Sequence, residues 1–86
     1  MPTISEFFGI VIAMYFKEHN PPHFHVRYQG QKASINIRTG EVLDGKISPR
    51  AHRLVDEWRV LHEEALLRNW EKAQQRVPPA PIEPLE

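Results

Sequence analysis

Eighty-six residues, 41% of them hydrophobic, suffice for one small domain and exclude a multidomain enzyme. The absence of cysteine excludes disulfides and thiolate metal sites. Eleven Lys and Arg balance eleven Asp and Glu, a formal net charge of +0, so any nucleic-acid binding must come from a local patch rather than from bulk charge.

The first strong pattern is IVIAMYF at residues 10–16, β-branched and apolar on both faces, as in a central strand with cover on both sides. It is too short for the ~20 residues of a membrane span. No positively charged region precedes it, so neither a signal peptide nor a membrane anchor is expected, and the cytoplasm is the expected location. KEHNPP at residues 17–22 is a loop, because two consecutive prolines lack backbone donors and bias their predecessors to extended geometry.

Residues 23–29 and 32–38 both alternate. Phe24, Val26 and Tyr28 form one apolar face, and Ala33, Ile35 and Ile37 the other strand's. With Gly30 and Gln31 as a two-residue type II′ turn, Val26 faces Ile35 and Phe24 faces Ile37. The polar side then pairs Arg27 with Ser34, His25 with Asn36 and His23 with Arg38. Thr39 and Gly40 turn the chain into a short strand over 41–43, and Gly45 marks a bulge or the strand's end.

Ser48 and Pro49 start a helix as N-cap and first helical residue. Its apolar stripe, including Ala51, Val55, Trp58, His62, Leu66 and Ala73, predicts one continuous helix to Gln75. Such a helix is roughly 40 Å long, about twice the length of the strands. The excess stripe calls for a kink near His62, a tail folded back on it, or a second copy of the chain; the second copy is the expectation, with Trp70 near the contact. VPPAPIEPLE at residues 77–86 is a Pro-rich extended tail, disordered or docked through Ile82 and Leu85. The expected architecture is α+β. It is a single domain over 1–76, with a three- to four-stranded antiparallel meander and one long C-terminal helix, followed by the tail.

Three of the five histidines, His19, His23 and His25, fall within seven positions. As H-x3-H-x-H they suit zinc, but the expected register sets Arg27 and Arg38 beside them. Fixed cations repel a divalent ion, so no cofactor is expected; Glu18 and Glu41 are the nearest carboxylates. The same set suits metal-independent acid–base cleavage of RNA, with His23 and His25 exchanging protons and Arg27 and Arg38 on the phosphate. The plainest reading leaves the histidines as polar partners on an exposed face. His62 and Trp58 lie on the helix stripe and, with Trp70, read as packing or interface residues.

HNPPHFHVRYQG, GEVLDGKI and LVDEWRVLHEEALLRNW together resemble one bacterial family, the domain of unknown function 4160, over essentially the whole chain. The resemblance marks His19, Asn20, Pro21, Pro22, His23, Phe24 and His25, and Trp58, His62, Asn69 and Trp70 on the helix, as signature positions. It implies a partner, a small protein encoded by an adjacent gene in a toxin–antitoxin-like arrangement. The function expected is thus protein–protein binding in a two-gene module. An RNA-cleaving toxin and a histidine-based metal-binding module are the alternatives.

Overall fold

Two tight turns of the same kind organise the sheet. In the computed structural model, which describes residues 3–86, β1 (Thr3–Phe7) and β2 (Ile10–Ala13) are joined by Phe8 and Gly9 at φ 52° and 78°. Likewise β3 (His23–Tyr28) and β4 (Gln31–Asn36) are joined by Gln29 and Gly30 at φ 48° and 80°. Positive φ at both central residues defines the type I′ turn, whose twist matches that of the strands it joins. After β5 (Val42–Gly45) come α1 (Pro49–Leu61) and α2 (Glu63–Gln74). The sheet is an antiparallel meander in the order β1-β2-β3-β4-β5.

The α+β class stands, with three corrections. The sheet has five strands rather than three or four, because residues 3–7 form an edge strand ahead of the expected first one, which itself ends at Ala13. The β3–β4 register differs from the expected one by two residues. Phe24 opposes Ile35, Val26 opposes Ala33, and His23 opposes Asn36 rather than Arg38. The turn uses Gln29 and Gly30, not Gly30 and Gln31. A shift of two preserves every apolar pairing of faces, so the alternation alone cannot detect it.

The third correction is the helix. It breaks at His62, whose backbone sits at φ −125° and ψ 24° and whose N–H is shared between the carbonyls of Trp58 and Arg59. The molecule's longest extent is 33 Å, shorter than one straight helix of this length. The N-terminus matches expectation: Ser48 accepts from the Ala51 N–H and Pro49 opens the helix. No helix of the described residues is long and apolar enough to cross a membrane.

One face of the sheet carries the core. Ile10, Ile12, Phe24, Val26 and Ile35 pack under Val55, Trp58 and Leu66. The tail supplies the remaining cover. Asn69 clasps the backbone of Ala80 in both directions at 2.8 and 2.9 Å. The Trp58 indole donates to the Glu83 carbonyl, and the Ile82 N–H donates to Ile4 on β1. Ile82 and Leu85 are thereby buried. The stripe that prompted the expectation of a second copy is covered by the chain itself.

The turn after β4 is held from the helix side. Arg59, buried, donates to the carbonyls of Ile37 and Arg38 and to Asp56. Gly40 is required there: φ is +79°, and a Cβ would fall 2.8 Å from Arg59 Nε and closer still to the Asp56 carboxylate.

Removing residues 77–86 strips two buried aliphatic side chains, each contributing about 1.5–3 kcal/mol, and orphans the Trp58 and Asn69 donors. The truncated chain is expected to lose at least about 3 kcal/mol in urea denaturation. An unchanged midpoint contradicts the strapping role assigned to the tail.

Candidate metal centre

Alternation along β3 puts His23, His25 and Arg27 on the face opposite Phe24 and Val26, with His23 at the rim where Trp70 of α2 reaches it. Their neighbours on that face follow from the register: Asn36 beside His23, Ser34 beside His25, and Lys32 beside Arg27. Asp44 on β5 continues the His25–Ser34 row.

The loop between β2 and β3 brings in a carboxylate. Its backbone is fastened to the end of α2, where the Lys17 N–H donates to the Ala73 carbonyl and the Gln74 side chain donates to the Glu18 carbonyl. Glu18 then reaches over the start of β3. Its Oε1 lies 2.6 Å from His25 Nε2 and 3.2 Å from His23 Nε2. All three side chains are partly buried, and their nearest donor atoms lie within 4.8 Å of one another. Around a shared ion about 2.0–2.2 Å from each ligand, donors sit about 3.3 Å apart, so small side-chain rotations close the set.

The outer contacts fix the imidazoles. His23 Nδ1 is 2.8 Å from the Pro21 carbonyl. A carbonyl only accepts, so Nδ1 carries the proton and, in the neutral ring, Nε2 presents a lone pair to the Glu18 carboxylate. Two acceptors 3.2 Å apart are reconciled by a proton held between them or by a metal ion. His25 donates from Nε2 to Glu18, and its Nδ1 is 3.4 Å from Ser34 Oγ. If an ion takes the place of the proton at Nε2, the ring's proton moves to Nδ1 and Ser34 is placed to accept it. A ring N–H held by a carbonyl or hydroxyl is the outer arrangement that orients metal-bound histidine. Trp70 and Tyr15 wall the site, with ring centroids 5.2 Å from His23 and 4.2 Å from His25.

Of the residues singled out in the sequence, His23 and His25 are brought together, their ring centroids 5.3 Å apart. Arg27 is two positions along the same strand. Arg38 is not beside His23: the two-residue register shift moves it past the end of β4, exposed in the turn. The repulsion argued against a metal therefore loses one of its two cations, and Glu18 adds a negative charge in its place. His19 is exposed on the loop and outside the cluster, and Asn20 is exposed beside it. Trp58 belongs to the core. His62 sits at the helix break, its ring 5.6 Å from Trp58. Sequence reasoning placed Ser34 opposite Arg27 rather than His25, passed over Tyr15, and noted Glu18 only as a nearby carboxylate. The i, i+5 and i, i+7 spacing of Glu18 to His23 and His25 was the available signal, obscured by a loop of undetermined course.

Residues 9–71 match the family described as domain of unknown function (DUF4160). No curated protein and no solved structure shows significant similarity to the chain.

In the metal-free protein, neutral His23 is expected as the Nδ1–H tautomer, read from long-range 1H–15N correlations of the imidazole. An Nε2–H tautomer contradicts the role given to the Pro21 carbonyl.

Proposed function

We propose that this chain, which belongs to the domain of unknown function (DUF4160) family, is a small metal-binding module. Glu18, His23 and His25 are its ligands. The observation that carries the reading is the convergence of two imidazole Nε2 atoms on one carboxylate oxygen, at 2.6 and 3.2 Å, with His23 committed through Nδ1 to a carbonyl. Two histidines and one carboxylate are the donor set of many catalytic zinc sites and of non-haem ferrous sites, which keep further positions open for water or substrate. The depression over the site, about 460 Å³ and lined by His19, Asp44 and Leu43 besides the ligands, leaves room for such a group. The protein's own residues supply the rest: Pro21 and Ser34 orient the rings, and the end of α2 holds the Glu18 backbone.

Titration of tag-free, chelator-treated protein with Zn2+ is expected to show one equivalent bound: the ion displaces the extra proton held between His23 and Glu18, while His25 only shifts its own proton from Nε2 to Nδ1. His23→Ala abolishes the binding. Ser34→Ala weakens it by about 10–100-fold, as for other outer partners of ligating histidines. Absence of binding, or binding indifferent to both His23→Ala and His25→Ala in folded variants, contradicts the reading.

A second reading is favoured by the surface at the helix break. Val60 and Leu61 are 61% and 67% exposed, side by side on the outer face of α1. Exposed aliphatic pairs of this kind suit protein contact, which fits the protein-binding component of a two-gene module that the family resemblance implies. Co-purification with the product of the adjacent gene, lost on Leu61→Asp, is the expected result. A chain indifferent to that product contradicts this second role and leaves the metal site untouched.

A further inference from the structure

Beside the ligand set, the open face of the sheet carries a row of unneutralised positive charge. Arg27 and Lys32 are direct cross-strand partners on β3 and β4. Both are exposed, and neither has a carboxylate within ion-pair distance among the described residues. Like charges placed directly opposite one another weaken a strand pair. The end of β5 closes on the backbone of β4. Gly45, at φ +81°, comes so close to Lys32 that a Cβ would fall onto its carbonyl, and the Lys46 N–H donates to that same carbonyl. Two cations thus meet across this strand pair in a chain whose formal net charge is +0.

The row is continuous with the candidate metal centre. His25 and Arg27 are two residues apart on one strand face, about 6.6 Å between Cα atoms. A depression of about 310 Å³ spans the two rows and is lined by Tyr15, His25, Arg27, Lys32, Ser34 and Asp44. Asp44 repels an anion from the β5 side of the His25 row, so an anion entering the depression is directed to the space between His25 and the Arg27–Lys32 pair. Guanidinium and ammonium side chains reach several ångströms from their strands and match phosphoryl oxygens in charge and geometry.

Resting on the metal reading, we infer that this face binds a phosphate ester, one phosphoryl oxygen on the ion held by Glu18, His23 and His25 and another on Arg27 and Lys32. The depression then recognises a phosphate group in one of two settings, a small monoester or a diester of a single-stranded nucleic acid. Tyr15, against the His25 ring, borders the position where the ester's organic group leaves the site.

The test uses the full chain loaded with one equivalent of Zn2+, titrated by calorimetry with phenyl phosphate and, separately, with a six-nucleotide oligoribonucleotide. Wild type binds at least one of them. Arg27→Gln/Lys32→Gln retains zinc with unchanged affinity and binds the phosphate probe about a hundredfold more weakly, about tenfold for each charged contact removed. Arg68→Gln, exposed on α2, behaves as wild type. Tighter binding of the oligonucleotide than of phenyl phosphate assigns the phosphate to a nucleic-acid chain; the reverse assigns it to a small ester. Zinc-loaded wild type that takes neither probe, or a double variant that binds as well as wild type, overturns the inference while leaving the metal site standing. Wild type that binds no zinc removes the metal reading and this inference with it.

Discussion

Five strands present two faces, and a chain of this length has enough helix to cover one. Everything else in the fold follows from that shortage. The apolar alternates of β2, β3 and β4 go beneath α1 and α2, where burial of each large aliphatic side chain is worth about 1.5–3 kcal/mol. A straight helix overshoots the sheet, so the break at His62 lets α2 continue over the core. The gap still open at the β1 edge is closed by the tail, which inserts Ile82 and Leu85 and satisfies the buried donors of Trp58 and Asn69. The prolines of that tail suit the role, since an extended strap without regular pairing needs few backbone donors.

The uncovered face is where the chemistry collects, for the same reason. Side chains pointing away from the helices gain nothing from being apolar, and β3 and β4 place His23, His25, Arg27, Lys32 and Ser34 there. The connection that lifts Glu18 over this face is anchored to the opposite layer, through Ala73 and Gln74 at the end of α2. The core and the candidate site therefore share a support. Displacement of α2 moves the carboxylate relative to the two imidazoles.

The parity of the strands was legible in the sequence because burial on one face imposes a period of two. Phe24, Val26 and Ile35 were assigned to the core and His23 and His25 to the open face on that ground alone. Register was not legible by the same route. Sliding β4 by two residues keeps every face and every apolar contact type. The choice rests on whether Gly30 takes the first or the second central position of the turn. It takes the second, as Gly9 does in the preceding hairpin, and that recurrence is a signal the sequence held. The consequence was chemical: it exchanged Arg38 for Asn36 beside His23 and so altered the charge assigned to the site. The helix break was legible only as one answer to a length mismatch, a kink near His62, since neither glycine nor proline interrupts the stripe there. Glu18 was hidden because a loop carries no periodicity, and its place is set by contacts with residues more than fifty positions away.

The account stands on three side chains sharing one ion. X-ray absorption at the zinc edge of the loaded protein tests that sharing without reference to activity. It is predicted to show two imidazole ligands and one carboxylate at about 2.0–2.2 Å, with light scatterers completing the shell. A shell of oxygen alone, without imidazole scattering, contradicts it.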